Sequence, residues 1–235
     1  MPRAPLMLEL RAVSHTLDAA PALRDLSLTF APASFNALVG DASCVAVLRV
    51  AGLRAAPDEG DVLLGVKSTR DLDERARAEL RSRRFGYLFP SPYLLPAMTV
   101  VENVAVPLFK ISGAGLAEAR ERTGEVLDFA DLAGGERIGV GDLTPAEQQR
   151  VALARALVHR PAFVLVEHAD ASLTDDESNR FIEMLREIPA RFGATVIAAL
   201  STPFLATKRE RVVSLRDGAV CGDSIRLPES ESSPS

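Results

Sequence analysis

Two fully apolar runs of strand length, AFVLVE (162–167) and TVIAALS (195–201), flank the helix-prone segment DDESNRFIEMLREIPARFG (175–193). Two further strand-like runs, GDVLLGV (60–66) and FGYLF (85–89), are separated by a charged segment that favours a helix. Strands that alternate with helices in this way are typical of a mainly parallel sheet covered by helices. The order of elements therefore predicts an α/β fold.

The remaining segments predict two additions to this core. Residues 6–39 show the alternation of short, half-exposed strands, and RVVSLRDGAV (211–220) predicts a hairpin around Asp217-Gly218, so one edge of the fold should be antiparallel. The chain from 98 to about 158 favours helices throughout. We expect a core formed by 1–92 and 158–226, an inserted helical subdomain at 93–157, and a disordered acidic Pro/Ser-rich tail at 227–235.

Composition narrows the functional classes. The 235 residues are 47% hydrophobic and 25% charged, which is usual for globular proteins, and the net charge of −5 gives no indication of a nucleic-acid partner. Two cysteines are too few for a disulfide framework. Because no run of apolar residues is long enough to span a bilayer, any role at a membrane is expected to come through a partner.

The stretch NALVGDASCVAVLRVAGL (36–53) begins like a phosphate-binding loop but lacks the residues that such a loop needs. An apolar strand runs into Gly40, and a helix of small residues follows, yet the motif G-x-x-x-x-G-K-[ST] is absent. The segment has no Lys and is about three residues shorter than the motif requires. Asp41 would set a carboxylate near a triphosphate, and β-branched Val45 resists the positive φ that glycine supplies. We predict that this chain does not hold nucleotide phosphates itself.

Five stretches carry a resemblance to a known family: ALRDLSLTF, LLPAMTVVENVAVPL, EQQRVALARALVHRPAFVLVE, TVIAAL and RVVSLRDGAV. In this order they resemble the ATPase subunits of ATP-binding cassette (ABC) transporters, nearest to the branch of lipoprotein and macrolide exporters. The resemblance covers residues 7–222. It implies a P-loop NTPase-like (RecA-like) core with an antiparallel β edge and an inserted α-helical subdomain.

Nearly every position at which this family does its chemistry carries a different residue here. The resemblance places the adenine-stacking aromatic at Leu17, the phosphate loop at Gly40–Val47, and the glutamine that senses magnesium and water at Pro90. The signature LSGGE becomes Leu143-Thr144-Pro145-Ala146-Glu147. The magnesium-linked aspartate, the catalytic glutamate, the aspartate of the following loop and the switch histidine correspond to Glu167, His168, Thr174 and Ser201. Substitution at all these positions predicts lost catalysis rather than one compensated change.

Two of the substituted residues admit a catalytic alternative. A neutral imidazole can accept a proton from water, so a hydrolase that uses His168 as base is conceivable. A base needs a positioned phosphate and metal, and both are lacking, so a structural histidine at a strand end is the preferred interpretation. Ser201 has no convincing His/Asp partner pattern in the sequence, and a serine hydrolase is not supported. Glu167 is expected to pair with a nearby cation or a loop amide.

Thr144-Pro145-Ala146-Glu147 has the pattern of a capping box, with Thr at the N-cap, Pro at the first helical position and Glu at the third. A well-started helix explains these residues alone. The resemblance adds a second interpretation, because in the family this helix faces the ATP of the opposite subunit. Under that interpretation Thr144, Ala146 and Glu147 would contact ATP and Mg²⁺ at a shared interface.

The stretch LFPSPYLLPAMTVVENVAVPL (88–108) corresponds to the family's groove for a helix of the membrane subunit. Tyr93, Leu94, Leu95 and Met98 form an apolar group beside two prolines, which suits packing against a partner helix. The same residues could instead belong to the core of the helical insertion.

Together these features predict a catalytically degenerate subunit of an ABC transporter, without a cofactor in its own site and with no metal-ligand residues. It would dock to an integral membrane permease on the cytoplasmic side and pair with an intact ATPase subunit. Two alternatives stay open: an active ATPase with an atypical phosphate loop, and a soluble pseudo-ATPase that serves as a regulatory scaffold.

Overall fold

A computed structural model describes residues 6–17, 20–113, 115–201 and 210–224. The strands in these ranges are β1 (Leu8–Leu17), β2 (Ala20–Phe30), β3 (Phe35–Gly40), β4 (Glu59–Leu64), β5 (Lys67–Ser68), β6 (Phe85–Leu88), β7 (Phe163–Glu167), β8 (Thr195–Ala199), β9 (Arg211–Arg216) and β10 (Ala219–Ser224). The α-helices are α1 (Ser43–Ala51), α2 (Glu74–Arg84), α3 (Val100–Pro107), α4 (Leu116–Phe129), α5 (Pro145–Leu157) and α6 (Asp175–Phe192).

The central sheet has the strand order β10-β9-β3-β8-β7-β6. Strand β3 pairs in parallel with β8 and β9, and β7 pairs in parallel with β6 and β8. Strand β10 pairs antiparallel with β9, as the predicted hairpin requires. A second sheet, β2-β1-β4-β5, is antiparallel. The predicted α/β class with an antiparallel edge is confirmed.

The apolar strands are buried on both faces, and the two faces belong to different hydrophobic clusters. Along β7, Val164 and Val166 join a cluster with α3 to α6, whereas Phe163 and Leu165 join a cluster with α1, β1 and β2. Successive side chains of a strand point to opposite faces, so both faces need apolar residues. This burial explains why 162–167 lacks polar alternation. It also shows that the helices within 93–157 pack directly on one face of the central sheet.

Three helices begin with the same reciprocal hydrogen bonds. At the starts of α3, α5 and α6 a threonine hydroxyl accepts from the backbone N–H three residues on, and the glutamate there accepts from the threonine N–H. The pairs are Thr99/Glu102, Thr144/Glu147 and Thr174/Glu177. These bonds from the threonine lower the pKa of each glutamate.

Helix α6 shows how the sequence sets an element's ends. Its first turn is acidic, its apolar stripe buries Phe181, Ile182, Leu185 and Ile188, and Gly193 ends it in the left-handed conformation. In the described part of the chain, no helix is both long enough and apolar enough to cross a membrane. The tail predicted at 227–235 lies outside the described residues.

Candidate functional site

The carboxyl ends of β3, β7 and β8 lie at one edge of the central sheet, where open α/β sheets hold their ligands. Gly40 ends β3, and Glu167 ends β7 in register with Ala199 at the end of β8. The predicted positions Glu167, His168 and Ser201 therefore share this edge with the shortened loop after Gly40.

Asp41 is the acceptor around which the shortened loop is organised. One carboxylate oxygen accepts from the backbone N–H of Ser43 at 2.9 Å, and the other accepts from the N–H of Asp217 at 2.8 Å. The Ser43 hydroxyl in turn accepts from the N–H of Gly218 at 2.9 Å. The Ser43 hydroxyl and the two backbone N–H groups lower the pKa of Asp41. The start of α1 is thus tied to the β9–β10 turn by an internal carboxylate.

Helix α1 begins inside the core. Ser43, Cys44 and Val47 are buried, and Cys44 and Val47 belong to the same cluster as β1 and β2. Burial raises the pKa of the Cys44 thiol to about 11. A β-carbon on Gly40 would lie 1.9 Å from the carbonyl oxygen of Leu215, so glycine is required where β3 passes β9. The loop is closely packed at both of its ends.

Glu167 pairs with a cation supplied by the segment after α1. Arg54 Nη1 donates to Glu167 Oε2 at 2.9 Å; the Glu167 side chain is half-buried and Arg54 is exposed. The Arg54 guanidinium also lies 4.7 Å above the centre of the Phe89 ring, immediately after β6. The expected partner cation of Glu167 is therefore Arg54.

His168 and Ser201 contact each other, which corrects the expectation that Ser201 lacks a His/Asp partner. His168 Nδ1 lies 3.1 Å from Ser201 Oγ, and both carboxylate oxygens of buried Asp170 accept from the Ser201 backbone N–H at 2.9 and 3.0 Å. Sequence reasoning missed this because the contact joins the ends of two different strands. His168 faces Ser201 with Nδ1, the nitrogen that binds the carboxylate in a serine hydrolase, and Asp170 binds the main chain of Ser201, so this arrangement differs from the relay of a serine hydrolase.

His168 also has a structural role at the end of β7. Its backbone has φ of 45°, a left-handed conformation that is unusual outside glycine, and its N–H donates to Ala199 O at 2.8 Å. Its ring and main chain therefore join the ends of β7 and β8.

The comparisons with known proteins agree with this architecture. Residues 23–170 match the protein family described as ABC transporter. The chain belongs to the ABC transporter family.

Its relatives fall in the branch that the sequence indicated. The chain is 35% identical over 220 residues to the lipoprotein-releasing system ATP-binding protein LolD of Maricaulis maris, covering 90% of this chain and 95% of that one. It is 32% identical over 206 residues to the macrolide export ATP-binding/permease protein MacB of Syntrophobacter fumaroxidans, covering 85% of this chain and 28% of that protein. The ATP-binding cassette MJ0796, solved as a dimer bound to ADP and Pi, matches with a TM-score of 0.82 and 28% identity over 94% of this chain and 99% of that chain.

Three further positions that the resemblance singled out have local structural contacts. Leu17 is the last residue of β1 and offers no aromatic ring. Thr174 caps α6, and its hydroxyl donates to Glu177. Pro90 is exposed just after β6, and its carbonyl oxygen accepts from buried Gln149 at 2.8 Å.

The start of the ABC signature-like helix α5 is used internally. The Thr144 hydroxyl donates to Glu147 Oε2 at 2.8 Å, and the Glu147 N–H donates to Thr144 Oγ1 at 3.3 Å. The predicted capping box is present. The hydroxyl proton and one of the amides that the sequence offered to a partner's ATP therefore already have acceptors within the helix start, while the Ala146 amide is not part of the box.

The predicted permease-docking residues divide into two groups. Tyr93, Leu95 and Met98 are exposed at 68%, 44% and 36%, whereas Leu94 packs against the core. Leu94 therefore fits the alternative interpretation, in which the residue packs in the core of the helical insertion. The backbone bridge between Thr99 and Gly139 brings Ile138, which is 44% exposed, beside the end of the loop between β6 and α3, and the Ile138 carbonyl oxygen accepts from the Val100 N–H at 3.0 Å. Sequence reasoning missed Ile138 because it lies forty positions from Met98.

Among the described residues, no cluster of three or more His, Cys, Asp and Glu side chains has an arrangement suited to a metal ion.

We refer below to Tyr93, Leu95, Met98 and Ile138 as the apolar surface.

Proposed function

We propose that this ABC transporter cassette is catalytically degenerate: it docks to a membrane permease and pairs with an intact ATPase subunit that performs the hydrolysis. The fold and family are those of an ATP-binding cassette, and the relatives LolD and MacB are named for lipoprotein release and macrolide export. We place the chain with such exporters, on the cytoplasmic face of the inner membrane and peripheral through its partner.

The observation that carries this proposal is the position of the Asp41 carboxylate at the start of α1. A phosphate at a helix N-terminus is bound by backbone N–H groups and favoured by the helix dipole. Here a carboxylate accepts the Ser43 N–H at 2.9 Å, so an incoming phosphate would meet a like charge and a used donor. The chain also lacks the phosphate-loop lysine. If only two or three charge-assisted hydrogen bonds of about 1.5–3 kcal/mol are lost, affinity falls at least about 10²-fold.

The surroundings of Glu167 support the same conclusion for magnesium. The resemblance places a metal-linked carboxylate at this position, but Glu167 Oε2 accepts from the Arg54 guanidinium at 2.9 Å. A divalent cation would have to displace this arginine or lie beside its positive charge. The residues present do not fit a bound Mg-ATP, so we derive no hydrolytic step through this chain's own site.

For the assembled transporter we propose two contacts. The apolar surface receives a helix of the permease, because four apolar side chains that are more than a third exposed suit an apolar partner. The start of α5 faces the partner subunit. Any ATP that the partner binds would then lie near the Ala146 amide, with Thr144 and Glu147 acting mainly as the helix cap.

The test is calorimetry of the purified full chain with millimolar Mg-ATP, with the Maricaulis maris LolD as positive control. We expect no saturable heat from this chain and clear binding by the control. Micromolar binding together with turnover would overturn the proposal in favour of an active ATPase with an atypical loop. Failure to co-purify with any co-expressed permease would overturn it in favour of a soluble regulatory scaffold.

A further inference from the structure

The loop between β6 and α3 carries the apolar surface, and buried or half-buried side chains hold it along its length. Gln149 Nε2 donates to the carbonyl oxygens of Phe89 and Pro90 at 3.0 and 2.8 Å. Arg155 donates to those of Tyr93 and Pro92 at 2.8 and 2.5 Å. Loop carbonyls normally bond to water. Here helix α5 binds four of them in five residues.

The later part of the loop is held from α3. Fully buried Asn103 donates from Nδ2 to the carbonyl oxygens of Leu95, Met98 and Thr99 at 3.1 to 3.3 Å, and its Oδ1 accepts from the Leu95 N–H at 2.7 Å. Asn103 therefore attaches the main chain of Leu95 and Met98, two residues of the apolar surface, to α3.

On the sheet side the loop is held through an aromatic contact. The Tyr93 ring meets the Phe89 ring edge to face, with centroids 5.8 Å apart, and Phe89 stacks on Tyr87 at 6.0 Å. The Arg54 guanidinium covers Phe89 at 4.7 Å while it pairs with Glu167 at 2.9 Å. Contacts therefore run without a gap from the end of β7 to the exposed Tyr93 ring.

We propose that Arg54 is a positioning residue: by bridging Glu167 and the Phe89 ring it fixes residues 89–93, and with them the Tyr93 part of the apolar surface, in one geometry that needs neither nucleotide nor metal. This inference rests on the proposed function only in assuming that the apolar surface receives a helix of the permease. In an ordinary ion pair the guanidinium would serve stability alone. Here its planar face and its charge act on two different elements, β7 and the loop.

The test is hydrogen–deuterium exchange of the full chain without nucleotide, read in peptides that cover 89–98. Arg54→Met keeps the aliphatic stem and removes the charge. We expect the exchange rate in these peptides to rise about three- to tenfold, because the variant loses the combined stabilisation of an ion pair and a cation–π contact. Arg54→Lys keeps the charge without the planar fork and should give an intermediate rise. The matched control Arg122→Met, which removes a guanidinium paired with Glu118 on α4, should leave 89–98 unchanged.

A double variant separates positioning from general loosening. If Arg54 acts through Glu167, the Arg54→Met/Glu167→Gln pair should raise exchange no more than Arg54→Met alone. Unchanged exchange at 89–98 in Arg54→Met, or an equal rise in β1–β2 peptides, would overturn the inference.

Adding Mg-ATP to the wild-type chain distinguishes this inference from the proposed function. We expect exchange at 89–98 to be the same with and without it. If Mg-ATP binds yet Arg54→Met still loosens 89–98 in its absence, the positioning role stands and the degenerate function fails. If Arg54→Met leaves exchange at 89–98 unchanged and the chain binds no Mg-ATP, the positioning role fails and the degenerate function stands.

Discussion

Asp41 supplies from within the chain the negative charge that a phosphate loop obtains from its ligand. The first N–H groups of a helix have no intrahelical acceptor, and an anion near them is stabilised by the helix dipole. A side chain of the loop can also accept from such a group. The Asp41 carboxylate accepts the first of these groups, the Ser43 N–H, and through the Asp217 N–H it closes the loop against the β9–β10 turn.

The charge of Asp41 should make a small, pH-dependent contribution to stability. Its pKa in the fold lies below the ordinary value of 3.8, so the contribution is complete at neutral pH and is lost as the pH falls through the folded pKa. Asp41→Asn should lower the free energy of unfolding at neutral pH by at most about 1 kcal/mol, since solvent screens this exposed carboxylate. Urea unfolding at about pH 7 and about pH 3 checks this, because the deficit should shrink in acid.

Asp71→Asn serves as the matched control for that measurement, because Asp71 is an exposed carboxylate in the loop before α2. It should change stability little at either pH. A deficit of Asp41→Asn that is equal at both pH values would show that the side-chain shape, and not the charge, holds the loop.

At this scale the sequence predicts what is missing but not what replaces it. The absence of a phosphate-loop lysine is visible in residues 36–53, and so is the loss of glycines. The acceptor role of Asp41 depends on Asp217, which lies 176 positions away in the chain. The role of Arg54 could not be predicted from the sequence either, because its partners Glu167 and Phe89 are distant in the chain and the sheet brings them close to it. Such pairs follow from tertiary packing alone.

Elements with a local signal were predictable, and those without one were not. Strands β7 and β8 are apolar at every position because both faces are buried, and the Thr/Glu spacing marks the starts of α3, α5 and α6. The chain from 98 to about 158 was predicted to favour helices throughout, and within it a π-helical turn begins at Leu108, directly after α3. Pro107 has no N–H to donate, which favours a change of helical register at this point.

The capping box of α5 yields a prediction that separates helix stability from a role at a shared interface. Thr144→Ala removes the N-cap and should lower the free energy of unfolding by about 1 kcal/mol, whereas Thr144→Asp keeps a good cap and should be nearly neutral. Urea unfolding of the isolated chain measures both. In the assembled complex, a helix end that only caps should tolerate Asp with full ATPase activity.

A helix end that contacts the partner's ATP would behave differently, because Asp places a negative charge against the phosphate. Loss of complex activity in Thr144→Asp, with normal unfolding of the isolated chain, would show that α5 takes part in hydrolysis by the partner. Full activity of Thr144→Asp would exclude that role.

At the scale of the whole molecule, the fold gives different exposure to residues that the sequence analysis had assigned to one docking group. Leu94 and Leu95 are neighbours of the same type, yet Leu94 packs into the cluster beneath α5 and Leu95 is 44% exposed. A loop has no periodicity from which to assign faces, so only the fold separates them. Ile138 joins the surface by a backbone bridge that no local pattern indicates. Docking to a partner is therefore best tested at Leu95.

Leu95→Asp should abolish docking while the fold persists. The substitution would bury an unpaired charge against an apolar partner helix, a cost of several kcal/mol, and should reduce co-purification with the co-expressed permease at least about tenfold. Thermal melting of the isolated chain should stay near that of the wild type, since Leu95 is already exposed. Leu116→Asp is the matched control, because Leu116 is a 74% exposed leucine on α4 outside the apolar surface. Equal recovery of permease with Leu95→Asp and Leu116→Asp would place the docking site on another face of the molecule.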